Sequence, residues 1–446
     1  MKKIVFIILL LVFLCLLQKD KWRDKYDQIK LWILNRIILE RGILSTNCPW
    51  YKISSFFLED EAGIHLYNDY KEKYGDFALT KMFNEDIYIV TNVNYIKQIL
   101  DNSPDIFSVG KLKKQIFSPF MDKNVGVSSG CHWKRRREMN EKVLLTDQLH
   151  IYFDKYNHDI YHFMLKKWKG KNTLKYNDFV SIGKYMTSRI IFNTDKMHDD
   201  VFNLFSEVNS INVFYPDFKI NPSVLSNYNQ YLDKHINNPN INSLVHLCVS
   251  TSSDKEEIKH QIPHFIFPIV GLYTISIPRI LTLLFNDKVS LKKVIDEVKS
   301  VQNIKQIYKL SFLRKCILET LRLMNPLITT FRTLSQDYSF DSNHSFQKGT
   351  QFLILNNPVL REKEYFEKPN EFNPNRWTKE MEYSYYAISF NQGPQRCPAK
   401  ELVISLSQSF IYNFFLMNHI ETIKVKKINI FNVPQIMNPC EIIIQK

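Results

Sequence analysis

The segment Phe390-Asn391-Gln392-Gly393-Pro394-Gln395-Arg396-Cys397-Pro398-Ala399-Lys400 closes a stretch rich in Pro, Asn and Glu and leads into a long apolar helical pattern. Gly393-Pro394 reads as a turn that delivers Cys397 to the start of that helix. Pro398 falls at the first helical turn, where its missing N–H costs no hydrogen bond. A helix N-terminus presents free N–H groups and the positive end of the dipole. Both lower a thiol's pKa and stabilise a thiolate, which makes Cys397 a candidate metal ligand. The plainer alternative is a buried structural cysteine.

The other cysteines leave Cys397 alone in that role. Cys15, Cys48, Cys131, Cys248, Cys316 and Cys440 are widely spaced, the total of seven is odd, and no CxxC pair occurs. That argues against a zinc site or a disulfide framework and for a reduced compartment.

Outward from the loop the pattern is mainly helical. Glycine is scarce, 11 in 446 residues, and 45% of the chain is hydrophobic. This favours a helical body over a doubly wound sheet with glycine-rich turns. The runs 76–82 and 87–91 around Phe83-Asn84-Glu85-Asp86 read as a β-hairpin, followed by a short helix over 95–100. Residues 130–325 read as mostly helix. Short strands return over 331–357 with a turn at Lys348-Gly349-Thr350, 358–389 is irregular, 398–418 is a helix, and a β pair ends the chain. The expected class is mainly α (α+β), a helical body with small sheets. Length alone would suggest two or three domains. A central cofactor would hold one large domain together, here residues 26–446.

Residues 1–25 read as an address. Ile4–Leu17 is an unbroken apolar run of fourteen residues, short for a spanning helix, which needs about 20. No small-x-small cleavage site follows, and Lys19, Lys21, Arg23 and Lys25 outnumber Lys2 and Lys3. The expectation is a single-pass signal anchor with Trp22 at the interface and the body of the protein cytoplasmic. A half-inserted helix and a cleaved signal peptide are the alternatives. The net charge of +14 fits an anionic membrane surface, an acidic redox partner or a scattered soluble surface. No nucleic-acid motif accompanies it, so nucleic acid is not an expected partner.

Phe390, Gly393 and Cys397 together resemble the cysteine-ligand loop of the cytochrome P450 family, Phe-x-x-Gly-x-(Arg/His)-x-Cys-x-Gly. Gln395 stands at the basic position, with Arg396 one step later, and Ala399 at the last glycine. Three further motifs follow the family's order over nearly the whole chain. Glu319-Thr320-Leu321-Arg322, followed by Phe372-Asn373-Pro374-Asn375-Arg376-Trp377, resembles its Glu-Arg-Arg network, here Glu319, Arg322 and Arg376. Trp133-Lys134-Arg135-Arg136-Arg137 resembles its propionate-binding helix. Trp133 and Arg137 share a face, and Lys134, Arg135 and Arg136 are expected on an exposed basic face open to an electron donor. Val270-Gly271-Leu272-Tyr273-Thr274 resembles its oxygen groove, with Tyr273 where an acid is expected. Pro278 removes the N–H that would bond the Thr274 carbonyl, so a distorted helix is expected there.

The resemblance implies a P450 fold with buried haem b (heme, iron-protoporphyrin IX). Cys397 would be the metal ligand, and Phe390, Gly393, Trp133, Arg137, Arg332 and Arg396 would complete the cofactor site. Gly271 and Thr274 would be catalytic residues at bound dioxygen. The implied activity is a membrane-anchored monooxygenase that takes electrons from a flavoprotein reductase and acts on a hydrophobic small molecule. The expected pocket walls are 105–125, Val270–Ile275 and Leu327–Phe331. Tyr273 and the prolines keep open a haem-thiolate enzyme that uses peroxides or rearranges its substrate, and a haem-binding protein without turnover.

Overall fold

A computed structural model describes residues 67–446, apart from 69–70, 83–84, 145, 197–198, 200, 205–219, 328 and 435–436. The expected anchor over 1–25 lies outside the described residues. Strands β1 (Phe77–Met82) and β2 (Glu85–Val90) pair antiparallel from Phe77↔Val90 to Met82↔Glu85. Glu85 and Asp86, expected in the turn, are strand residues. Helix α1 (Val93–Asp101) starts at Asn92, whose side chain accepts the Asn94 N–H, and it buries Val93, Ile96, Ile99 and Leu100 at helical spacing. The 105–125 segment is not an open loop. It forms β3 (Phe107–Val109) and α2 (Lys111–Met121).

The helical body follows, with α3 (Gly130–Leu144), α4 (Thr146–Lys167), the short strand β4 (Thr173–Leu174), α5 (Tyr176–Thr187), α6 (Pro222–Asn237) and α7 (Leu244–Thr251). Helix α8 runs from Lys255 to Asn286, and its most apolar window is 72% buried. Among the described residues it is the one helix long and apolar enough to cross a membrane. Its burial makes it the axis of the core. Helices α9 (Lys288–Lys299) and α10 (Ser311–Leu323) complete the bundle. The Glu297 carboxylate of α9 accepts the Phe312 and Leu313 N–H groups at 2.8 and 2.9 Å, so an acid on one helix caps the next.

Strands β5 (Thr329–Leu334), β6 (Tyr338–Ser339), β7 (Ser345–Phe346) and β8 (Gln351–Leu355) return as read from the sequence. The main sheet has the order β1-β2-β8-β5-β3. Gly349, at φ +89, makes the expected turn before β8. On β5 the period of two puts Thr330, Arg332 and Leu334 on the buried side. Helix α11 (Lys400–Met417) packs on α4, where Asn157 accepts a hydrogen bond from Asn413 at 2.8 Å in a buried polar patch. The closing strand β9 (Ile444–Gln445) pairs with the distant β4, and Gln445 also bridges Lys424. Cys131, Cys248, Cys316 and Cys397 are free thiols, but Cys440 is in a disulfide. This corrects the expectation of uniformly reduced cysteines, because sequence spacing does not report which thiols meet in space.

Glu319 on α10 is fully buried and ties these parts together. Arg322 grips it with two bonds of 2.8 and 2.9 Å. Arg376 donates at 3.0 Å, the Asn373 N–H at 3.0 Å and the Trp377 indole at 2.9 Å. Arg322 also donates to the carbonyls of Leu360 and Pro369. Burial would raise the Glu319 pKa, but Arg322, Arg376 and the Asn373 N–H hold it below the usual carboxylate range. Trp377 was not singled out as a member of this network. A carboxylate with a depressed pKa stabilises the fold fully above its unfolded value of about 4.3 and less as pH falls. Glu319→Gln should therefore cost about 3–5 kcal/mol near neutral pH, as for any buried pair that loses one partner. Urea titrations should show the gap to wild type narrowing as pH falls through about 4.

Candidate functional site

The Cys397 loop is shaped by backbone. The Cys397 N–H donates to the Phe390 carbonyl at 2.8 Å, closing the loop, and the Arg396 N–H returns to Gly393 at 3.1 Å. Gly393 sits at φ +68 against the end of α1, where an added Cβ would lie 2.5 Å from the Leu100 carbonyl oxygen. Only glycine fits both conditions. The Gln392 side chain donates to the carbonyls of Glu382 and Ser384. Phe390 lies under the Lys400 ammonium at 5.9 Å. A clasp fixes the following helix: Arg314 of α10 reaches Glu382 at 2.7 Å and Glu401 at 2.6 Å, and Lys400 reaches Glu382 at 2.9 Å. Helix α11 begins at Lys400, so Pro398 precedes its first turn rather than occupying it.

Cys397 is half-buried and lines a cavity between α8 and α11. The Cys397 pKa is raised by burial, with the Ala399 N–H, Arg137 and Lys400 pulling the other way. Burial wins, so the expectation of a thiol acidified by the helix end alone is corrected. A metal ion at the sulfur would supply the missing positive charge.

Basic residues gather at one side of this cavity. Arg137 donates to the Arg396 carbonyl at 2.6 Å, joining α3 to the cysteine loop. Trp133, four residues earlier, is buried on the same helix. Arg332 is buried on β5 and donates to Ser103 at 2.9 Å and to the Phe331 carbonyl at 2.8 Å. Lys113 of α2 joins them. Gly110 allows this by letting the chain pass β5 so closely that an added Cβ would lie 2.8 Å from Phe331 Cβ. Burial and Arg332 push Lys113 down to about 8, and burial pushes Arg332 down to about 10. Neither has a carboxylate partner among the described residues. Arg396 is exposed, and its carbonyl rather than its guanidinium is tied into the site. Arg136 corrects the reading of α3. It is buried, bonding Glu257 at 2.6 Å and Ser128 at 2.5 Å, while Arg135 reaches Glu257 at 2.8 Å. The basic run therefore divides between an internal ion pair with α8 and the cavity rim.

On α8 the cavity face carries His264, Phe265, Pro268, Ile269 and Leu272. Neither Gly271 nor Thr274 lines it. The Thr274 hydroxyl donates to the Val270 carbonyl at 2.8 Å, and its methyl faces Gly183 of α5. The buried Tyr273 ring packs against Phe410, with centroids 6.0 Å apart and the planes tilted by 56°. The physical reason is helical phase. Residue 274 is two positions beyond Leu272, about 200° round the helix. The expected distortion is present as a wide turn over Leu272–Ser276, where the Ile277 N–H reaches back to the Leu272 carbonyl. The expected walls at Leu327–Phe331 also do not line this cavity, whose other members are Leu144 and Leu244 with Pro398, Ala399, Leu402, Val403 and Leu406.

Sequence reading missed Lys113 and His264. Each carried a weak signal, a lone basic or imidazole side chain next to an apolar run. The assembled set suits a flat apolar ring system with carboxylates at one edge and a metal at its centre. It offers apolar walls for the ring, a thiol for the metal, and, for the carboxylates, Lys113 and Arg332, cations without an acidic partner among the described residues. These residues fit haem.

The profile of the family described as cytochrome P450 matches residues 46–437. A (21S)-21-acetyl-1-hydroxy-apo-melianone synthase from Melia azedarach is 32% identical over 120 residues, 27% of this chain and 24% of that protein. A beta-amyrin 11-oxidase from Glycyrrhiza uralensis is 31% identical over 117 residues, 26% of this chain and 23% of that protein. The chain thus aligns with about a quarter of these relatives' lengths. The structure of a retinoic acid-bound cyanobacterial protein, CYP120A1, superposes with a TM-score of 0.68 at 16% identity, covering 81% of this chain and 88% of that one. That likeness establishes the fold.

Gly393→Ala should cost about 2–4 kcal/mol, from the left-handed backbone plus the clash with the Leu100 carbonyl. Gly349→Ala, at φ +89 with nothing within 4 Å, should cost about 1–2 kcal/mol. Equal losses in thermal and urea denaturation would show that the close approach to α1 is unimportant.

Proposed function

The chain belongs to the cytochrome P450 family, whose fold binds haem b, and from that premise we propose a haem-thiolate monooxygenase that places one oxygen atom from dioxygen into a hydrophobic substrate. Cys397 would hold the haem iron in this reading. The carrying observation is that Cys397 lines an apolar cavity against α8, with Lys113 and Arg332, which have no carboxylate partner among the described residues, close by. Haem held by a cysteine thiolate supplies dioxygen activation, the thiolate pushing electron density toward O–O cleavage.

The chain's own residues bind, orient and exclude water. Lys113, Arg137 and Arg332 would receive the two carboxylates, with Trp133 buried one turn before Arg137 on the same helix. Gly393 and Phe390 hold the loop that aims the sulfur, and the Glu319–Arg322–Arg376 network fixes that loop to α10. The apolar lining favours a lipid-like substrate. A flavoprotein reductase is the proposed donor, approaching the basic surface around Lys134 and Arg135. The proposed location is a membrane, with the N-terminal segment as anchor and the catalytic domain cytoplasmic.

One observation favours a second reading, a reductase-independent enzyme using peroxides or rearranging its substrate. The α8 face of the cavity offers no hydroxyl or carboxyl group for proton delivery. Thr274 does not fill that role in either reading, because its hydroxyl is bonded to its own helix. Thr274→Ala should cost at most about 1 kcal/mol of stability and leave the coupling of oxygen uptake to product unchanged. Marked uncoupling would place Thr274 back at the reacting oxygen.

The carbon monoxide difference spectrum of the reduced wild type should show the strongly red-shifted band of thiolate ligation, and Cys397→Ala should lose it. A wild-type band in that variant would exclude Cys397 as ligand. Product formed only with reductase and reduced nicotinamide cofactor supports the monooxygenase, whereas turnover of a hydroperoxide without reductase supports the second reading.

A further inference from the structure

Helix α4 carries the sequence His158-Asp159-Ile160-Tyr161-His162, with its two histidines one helical turn apart. Both side chains are exposed on the same face. Their ring centroids lie 6.0 Å apart and the ring planes are within 10° of parallel. Neither imidazole has a hydrogen bond or an ion pair among the described residues. Both rings can therefore turn about their broad outer torsion until one nitrogen of each faces a common point.

The opposite face of α4 holds this spacing in place. Phe153, Ile160 and Met164 are buried in the core, and Asn157 accepts the hydrogen bond from Asn413 of α11. The pair is thus set before any ligand arrives, which removes an ordering cost from binding. Asp159, which follows the first histidine, is buried and pairs with Lys155 at 2.7 Å and with Arg189 at 3.2 Å. In metal hydrolases an acid at that place beside two histidines four apart acts as general base. Here internal ion pairs occupy it, so the arrangement can bind an ion and lacks the base for hydrolysis.

We propose that His158 and His162 chelate one divalent ion of the zinc and copper class on the surface of α4. Imidazole suits zinc, copper and nickel, whereas magnesium, calcium and manganese prefer carboxylate and carbonyl oxygens. The ion sits about 2.0–2.1 Å from one nitrogen of each ring. No third His, Cys, Asp or Glu joins them in a cluster among the described residues. Water fills the remaining positions, so the ion exchanges freely, unlike one in a closed four-ligand site. Exposed Asp154 one turn before the pair and Lys166 one turn after it offset each other's charge. The unfolded chain holds the two imidazoles at no fixed spacing, so the ion binds the folded helix better and stabilises it by mass action. The site is independent of Cys397 and of the haem.

The test titrates zinc chloride into the full, haem-loaded chain by calorimetry. Cys131 is an exposed free thiol that would itself bind zinc, so every protein carries Cys131→Ser. His158→Ala and His162→Ala should each weaken one zinc site at least about tenfold, since either change removes one arm of the chelate. The double variant should be little weaker than either single variant. His132→Ala, an exposed histidine on α3, should leave the site unchanged. Zinc should raise the melting temperature of the parent and of His132→Ala, and not that of the two α4 variants. An unchanged haem spectrum shows that the variants are folded. Two results would overturn the inference. Either the α4 variants bind zinc as His132→Ala does, or the two single losses simply add in the double variant, which would mean two separate single-imidazole contacts.

Discussion

One carboxylate holds the molecule in register. The Glu319 oxygens accept five hydrogen bonds, from Arg322 twice, Arg376, Trp377 and the Asn373 N–H, with no surface left to water. A buried charge is tolerated only when its desolvation is offset by such geometry. The donors come from α10 itself and from the irregular segment that leads to the cysteine loop. The clasp of Arg314 and Lys400 on Glu382 and Glu401 repeats the device one step closer to Cys397. An otherwise unstructured stretch is thereby fixed between two anchored points.

The cavity that this frame shapes divides its chemistry by wall. Its interior is apolar apart from one thiol and one imidazole, and its cations gather at a single side. Desolvation lowers the pKa of Lys113 and Arg332, and neither has a carboxylate partner among the described residues, a condition that favours an anionic ligand edge. Arg136 is next to Arg137 yet meets a different acid: Glu257 on α8 neutralises Arg136, and Glu141 of α3 itself pairs with Arg137 at 2.7 Å. A basic run of four residues thus contains a surface cation, two arginines that share Glu257, and a guanidinium held by Glu141 and the Arg396 carbonyl, separated by 100° steps round the helix.

Much of the site was legible in the sequence because its motifs are local. Phe390, Gly393 and Cys397 lie within eight residues, and their spacing specifies a closed loop. Glu319 and Arg322 are one helical turn apart, so their pairing needs only a helix. Gly349 before β8 was equally readable, whereas Arg332 was named through the resemblance and its burial came from the structure. Thr274 was not. A motif gives an order of residues, whereas the cavity face of a helix depends on phase, and three prolines with a wide turn shift that phase. Lys113 and His264 had no motif at all. Their place comes from α2 passing β5 at Gly110 and from α8 passing Gly126.

The sequence alone determined the helical class, the cysteine that enters the cavity, and the network that anchors it. The helical class, the cysteine loop and the Glu319–Arg322 pair depend on contacts between near neighbours, whose geometry is set by the backbone period, and the resemblance supplied Arg376 from 57 residues away. The tertiary structure decided which arginine is internal, that Cys440 is in a disulfide, that burial outweighs the helix end at the Cys397 thiol, and which residues face Cys397 across the cavity. The buried arginine and the residues that face Cys397 depend on segments more than a hundred residues apart being brought together, and the thiol on how far water is excluded when they meet. Neither the approach nor the loss of solvent is encoded at any single position.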